Sequence, residues 1–310
     1  MASQCIPISK GLGMSTCTAY FVNLLSVTTF PRTSTCTPHL LSTTPRCGLL
    51  LAAELDKQEV EVEHHYSRNA IHYWDKFYHR HKNKFFKDRH YLQKDWGQYF
   101  CDNDINDTNS PKRKVVLEVG CGAGNTIFPL IAAYPNIFVH ACDFSPQAVS
   151  LVKSHASFNN GCVNAFVCDV AKDDLCINIK PSSVDIVTLI FVLSAVTPSK
   201  MTLVLQNLKR VLKPDGHILL RDYALGDSAQ VKLQNRNQII DDNYCFRGDG
   251  TCAFYFSEDF LSSLFERAGF SIVDISTYCR KIENRSKNIE ISRRWIRAIF
   301  SQLSVHPAMK

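Results

Sequence analysis

The sequence predicts an α/β fold: a mostly parallel sheet with helices on both faces, preceded by an N-terminal helical extension. Three observations carry this. From Val115 onward, short apolar runs alternate with helical patterns, the mark of βαβ units with right-handed crossovers. The first run, Val115–Asn125 (V-V-L-E-V-G-C-G-A-G-N), passes straight into glycines at 120, 122 and 124, as a buried strand turning sharply into a helix does. Ahead of it, residues 54–100 are aromatic, basic and His-rich, with helical stretches.

The spacing places strands at 115–119, 137–142, 163–168, 184–191 and 216–222, and helices near 124–134, 146–158 and 199–212. The last of these helices runs into Leu212–Gly216 (L-K-P-D-G), where Pro and Gly stop it before the strand H-I-L-L-R-D. Ser257, followed by Glu258 and Asp259, caps a further helix that stops at Gly269. Strands near 270–278 and 290–300 bring the sheet to seven. The stretch Cys101–Pro111 (C-D-N-D-I-N-D-T-N-S-P) is a polar linker, and there are no internal repeats.

The chain has 310 residues, 45% apolar and 21% charged, enough for one large domain plus an extension. No run of eighteen apolar residues is present, so no membrane span is expected. Residues 1–53 contain no acid, three basic residues (Lys10, Arg32, Arg46) and many Ser and Thr, which reads as an organellar transit peptide. The alternative is a tail on a cytoplasmic or nuclear protein. Division is therefore expected into 1–53, an extension over 54–110, and a catalytic domain over 111–310. Removing 1–53 lowers the formal charge from +6 to +3, so local clustering, not bulk charge, decides partners. The thirteen cysteines form no C-x-x-C pair and read as free thiols in a reducing compartment, with no metal site.

In an open parallel sheet, ligands sit beyond the carboxyl ends of the strands where strand order reverses. That position is reached by Gly120, by Asp143 at the end of the second strand, by Asp169 and Val170 after the third, and by Ile190 in L-I-F-V-L. Asp143 suits a ribose diol and Asp169 an adenine amino group, while Ile190 offers an apolar floor for a purine. The plainer readings are helix caps or turns for the acids and core for Ile190. The glycines follow G-x-G-x-G rather than the dinucleotide G-x-G-x-x-G, and Glu118 favours a cationic ligand over a diphosphate. A nicotinamide-dependent reductase is the competing reading; it would be expected to carry a catalytic Tyr-x-x-x-Lys pair or a catalytic His with an acidic partner, and the one Tyr-x-x-x-Lys spacing, Tyr78–Lys82, lies ahead of the glycine loop. With its acid two residues before the first glycine, the loop resembles motif I of the class I S-adenosylmethionine-dependent methyltransferases. That resemblance implies a Rossmann-like sandwich and S-adenosyl-L-methionine as cofactor.

Four segments narrow the resemblance: Tyr73–His90 (Y-W-D-K-F-Y-H-R-H-K-N-K-F-F-K-D-R-H), Cys142–Pro146 (C-D-F-S-P), Leu189–Ala195 (L-I-F-V-L-S-A) and Arg221–Tyr223 (R-D-Y). Together they resemble the tRNA N3-methylcytidine methyltransferases, which act on the anticodon loop. The resemblance covers roughly residues 70–300, including a closing strand from Asn284 to Trp295. It implies that Trp74 and Tyr78 pack against the cofactor beside Gly120, Asp143, Asp169, Val170 and Ile190. It also implies tRNA as substrate, with seryl-tRNA synthetase as a partner for substrate selection, because no separate tRNA-binding module stands out.

RNA contact has its own basis in charge. Residues 74–94 hold seven Lys or Arg against two acids, and residues 280–297 hold seven against two. Interleaved aromatics add stacking faces for unpaired bases. The expected contacts are Phe85, Phe86, Lys87, Arg89, His90, Arg221, Arg293 and Arg294. Methylation turns the base into a cation, so a nearby carboxylate is expected to assist, with Asp222 and Asp88 as the catalytic candidates. Two other functions remain compatible with these residues: a methyltransferase acting on a protein or small metabolite, and a non-catalytic RNA-binding protein on the same fold.

Overall fold

The computed structural model describes residues 45–101, 113–284 and 289–302. The chain divides into two compact units, Met1–Cys47 and Gly48–Lys310. Of the first, only the opening of a helix lies within the described residues, so residues 1–44 of the acid-free leader lie outside them. So do the polar linker expected after Cys101, from residue 102 to 112, and residues 285–288.

Two helices precede the alternating core, α1 (Pro45–His81) and α2 (Tyr91–Phe100). The boundary expected at 53/54 falls inside α1, which runs through it unbroken. The alternating core follows: β1 (Lys114–Val119), α3 (Ile127–Ala133), β2 (Ile137–Asp143), α4 (Pro146–Lys153), β3 (Val163–Val167), β4 (Val184–Ile190), α5 (Met201–Val211) and β5 (Leu212–Tyr223). Next come α6 (Ser228–Gln234), then β6 (Ile239–Asp241), β7 (Tyr244–Phe246) and β8 (Cys252–Phe254). The chain closes with α7 (Glu258–Arg267), β9 (Phe270–Asn284) and β10 (Ile289–Gln302).

Seven strands form the main sheet in the order β3-β2-β1-β4-β5-β10-β9, parallel except where β10 runs antiparallel to β5 and β9. Alternation along each strand divides the core between the two faces. Val116, Ile186 and Leu219 join α2, α3 and α4 through Leu92, Trp96, Ile127 and Val149. Leu117, Val187 and Ile218 join α5 and α7 through Val204, Leu208, Leu261 and Phe265.

Two expectations shift. The L-K-P-D-G stretch is not a spacer, because β5 starts at Leu212 and absorbs it through a register shift against β4, with Asp215 left-handed at φ 65°. The small antiparallel sheet β6-β7-β8 was not anticipated, since strands of three residues show no readable period. Reversal of strand order at β1/β4 fixes the crevice on the side carrying Gly120, Asp143 and Phe191.

Candidate active site

Two clefts open beyond the carboxyl ends of the strands, of ≈ 820 Å³ and ≈ 1190 Å³. The smaller is roofed by one stripe of α1, Ser67, Ala70, Ile71, Trp74 and Tyr78, at the spacing of a single helical face. Polar pins hold that helix down. Asp75 accepts from Ser145 Oγ (2.7 Å) and Gln147 N (3.0 Å), joining Ser145, which caps α4 by accepting from Ala148 N. Lys200 Nζ donates to Ser67 Oγ at 2.7 Å.

Beneath the roof, Asp143 braces the glycine loop: its oxygens accept from Gly122 N (3.0 Å) and Ser145 N (2.9 Å). Burial drives its carboxyl up to about 6 against those same bonds. Phe144 N is a third donor to this carboxyl, which leaves one acceptor position for a hydroxyl in the cleft. Asp169 shapes its turn by accepting from Ala171 N and pairing with Lys172, and it also faces the cleft. The cap-or-turn reading and the ligand reading of these acids are thus geometrically compatible. Gly122 has φ 53°, and a Cβ there would stand 2.7 Å from Tyr78 Oη, so the loop and the roof meet in a close approach that only glycine permits. With Val170, Val192 and Val196 as apolar wall, these residues fit an adenosyl group.

Ile190 is nearly fully buried in the core cluster on the α2 side and reaches only the wall of the larger cleft; its carbonyl accepts from Arg89 Nη1 at 3.1 Å. Phe191 follows with φ 58°, a left-handed conformation that costs a side-chain-bearing residue about 1–2 kcal/mol. Such strain is held where the surroundings over-determine it. Here it turns the ring into the crevice, 5.0 Å from the Tyr223 ring and 5.1 Å below the Arg89 guanidinium.

The larger cleft is walled by aromatic rings, among them Phe85, Phe86, Tyr91, Phe191, Tyr223 and Trp295, with Lys87, Arg89, Arg247 and Arg293 as its cations. Its carboxyl group is Glu118, hydrogen-bonded by Thr188 and Thr126 and facing Arg89; burial outweighs all three and pushes it up to about 7. The F-F-K-D-R-H segment is fastened here by Asn125, whose Nδ2 donates to Phe86 O and Asp88 Oδ1, each at 3.1 Å, while its carbonyl accepts from Arg89 N at 2.9 Å.

Several expectations need correction. Asp222 is fully buried, its oxygens accepting from Ser194 N (3.0 Å) and Tyr223 N (2.9 Å), so it positions the walls and cannot touch a substrate. Asp88 is exposed, accepts from Asn125 Nδ2, and lines neither cleft. Arg221 is not free for phosphate: it lies 3.9 Å over Tyr91 and pairs with Asp95 at 3.4 Å, buried beneath α2. Strand alternation separates Arg293 from Arg294; the former lines the cleft while the latter packs against Gly226. His90 is exposed outside the cleft, whereas Phe85, Phe86, Lys87 and Arg89 line it, Arg89 facing inward toward Glu118.

Sequence reasoning missed Phe191, Arg247 and the cleft-lining role of Tyr223. An aromatic residue directly after the strand end at the switch point was a usable signal for Phe191; the short strands around Arg247 gave none. Among the described residues no group of His, Cys, Asp or Glu side chains is arranged to hold a metal ion, and no helix is long and apolar enough to cross a membrane.

Comparison with known proteins agrees with this geometry. A methyltransferase-domain family model matches residues 117–218. The chain is 38% identical to the human tRNA N(3)-cytidine methyltransferase METTL6, over 83% of this chain and 87% of the relative. It is 36% identical to the Schizosaccharomyces pombe tRNA N(3)-methylcytidine methyltransferase trm141, over 77% of this chain and 94% of the relative. The solved structure of a SAM-dependent methyltransferase from Anabaena variabilis shares the fold, with a TM-score of 0.55 at 12% identity, covering 76% of this chain and 96% of that one.

Proposed function

The chain belongs to the tRNA N3-cytidine methyltransferases, and from that membership we propose how its two clefts divide the reaction. It is an S-adenosylmethionine-dependent enzyme that methylates N3 of cytidine in tRNA. The observation that supports the division of labour is a seam: Trp74, Tyr78, Gly120, Phe191 and Ala195 wall both clefts. A nucleoside in the smaller and a base in the larger therefore meet along one line.

When bound, S-adenosylmethionine supplies an electrophilic methyl carbon on a sulfonium. Neutral cytosine carries an in-plane lone pair on N3 and no proton there, so no side chain is needed as a general base. The chain's task is to hold the base in line and exclude water. Pairing blocks N3, so the substrate is an unpaired nucleotide of the anticodon loop, extruded into the larger cleft against the Phe191 and Tyr223 rings. Methylation makes the base cationic, and Glu118, which lines the larger cleft, is the carboxyl that balances that charge, in place of Asp222 or Asp88. The test is incubation of the full chain with total tRNA and labelled donor, followed by nucleoside mass spectrometry. Labelled 3-methylcytidine is expected; label confined to protein or a free metabolite would overturn the reading.

Glu118 gives the cofactor step a pH dependence. Its folded value of about 7 lies above the ordinary 4.5, so its contribution to stability is complete below pH 4.5 and disappears as pH rises through 7. A sulfonium donor favours the anion, so donor affinity is expected to rise about tenfold between roughly pH 6 and pH 8. Calorimetric titration checks this, and Glu118→Gln should flatten the rise to the small part that Asp143 supplies.

Seryl-tRNA synthetase as a substrate-selecting partner, and entry into a chloroplast or mitochondrion, belong to the same proposal; the second rests on the acid-free residues 1–53. A fluorescent fusion carrying residues 1–53 that stays in the cytoplasm or nucleus would remove the organelle from it.

A further inference from the structure

We propose that Arg247 is the residue that grips a phosphate of the extruded nucleotide, an assignment that rests on the reading of the larger cleft as the RNA site. The four cations of that cleft are not equivalent. Arg293 Nε is spent on both oxygens of the buried Asp227, at 3.1 and 2.8 Å. Arg89 donates to Ile190 O and faces Glu118. Lys87 is exposed on a flexible stem. Arg247 is half-buried and fixed, and its partners are neutral: Nη1 donates to Thr251 Oγ1 at 3.2 Å and to Cys252 O at 3.1 Å. No carboxylate pairs with it among the described residues. Its remaining donors and its whole charge are left for the cleft.

The choice of phosphate over the base follows from the reaction. A guanidinium held against the cytosine ring would oppose the positive charge that methylation creates there, whereas a guanidinium on the phosphate neutralises an existing charge at a distance from N3. Arg247 also lies 5.7 Å over the Tyr223 ring, which places it beside the rings that receive the base.

The turn that carries Arg247 is set by the cofactor roof. Asp249 Oδ1 accepts from Thr251 N and Oγ1. Gly250, at φ 86°, leaves room for the Tyr73 ring of α1 where a Cβ would otherwise stand. Tyr66, also on α1, stacks on Phe246 at 4.9 Å. One helix thus roofs the cofactor cleft with Trp74 and Tyr78 and registers the phosphate grip with Tyr66 and Tyr73.

The experiment compares full-length wild type, Arg247→Gln and Arg247→Lys in steady-state methylation of tRNA, with donor affinity by calorimetry and KM for tRNA across a salt series. Arg247→Gln should raise KM for tRNA about tenfold to a hundredfold, the loss of one charge-assisted contact. It should also flatten the slope of log KM against log salt by about 0.7, one single-stranded phosphate. Donor affinity, which also reports folding, should stay within about twofold, and Arg247→Lys should restore the slope but only part of the KM. An unchanged KM and slope in Arg247→Gln, with donor binding intact, would overturn the assignment. If donor binding falls, Gly250→Ala decides: displacing the turn should raise KM for tRNA, and a parental KM would overturn the assignment too. Absence of 3-methylcytidine from the wild-type reaction would instead sink the reading of the cleft itself.

Discussion

Arg89→Ala is expected to lower kcat/KM for tRNA about a hundredfold or more. Three interactions go together: the bond to Ile190 O, the stack on Phe191, and the positive charge that holds Glu118 below the value its burial alone would impose. A charge-assisted bond and a partly desolvated cation–π contact are worth about 3 kcal/mol in sum, about two decades of rate. Donor affinity should fall as well, because Glu118 without its cation is protonated further into the neutral range. Arg89→Lys returns the charge without the planar fork and should recover only part of the loss. Steady-state kinetics with parallel calorimetry read both effects. An Arg89→Ala enzyme within threefold of the parent would show that the arginine is merely packed beside the cleft.

Asp222→Ala should do its damage through folding. The buried N–H of Ser194 and the part-buried N–H of Tyr223 would lose their acceptor, at about 1–3 kcal/mol each. In a domain of this size that corresponds to a melting midpoint lower by roughly 5–15 °C. Asp222→Asn keeps one oxygen but turns an N–H toward a backbone N–H, so it should also melt early, and turnover should fall because Ser194 and Tyr223 line the cleft. A variant that melts like the parent and loses only turnover would restore the electrostatic role that the sequence suggested for this acid.

The main sheet was legible because its parallel strands carry apolar runs bounded by turn residues, as Val115–Val119 is by Gly120, and α7 was legible because Ser257 and Gly269 bracket it. The lining of the smaller cleft was legible for the same reason: in a parallel sheet, strand ends are addresses, so Asp143, Asp169 and Gly120 are located by counting. The larger cleft was not. Its walls come from a loop, a strand end, a three-stranded ribbon and a hairpin, brought together only by tertiary packing, and nothing local separates Arg293 from Arg294 except strand parity. The R-D-Y segment at the end of the fifth strand drew attention to Arg221 and Asp222, whose burial reverses the role that their residue types suggest. Asn125 looked like the tail of the glycine loop and turned out to anchor the F-F-K-D-R-H segment.

The antiparallel pair that closes the sheet leaves β9 outermost, with β10 as its one strand partner among the described residues. A long unpaired margin invites a second molecule to add a strand to it, the first step toward aggregates. Its exposed side chains answer that hazard: Asp274, Arg280, Lys281 and Glu283 put charges of both signs along the border, so an incoming strand meets an unfavourable neighbour in either orientation. Neutralising that row would leave methylation chemistry untouched and make solubility the property that fails.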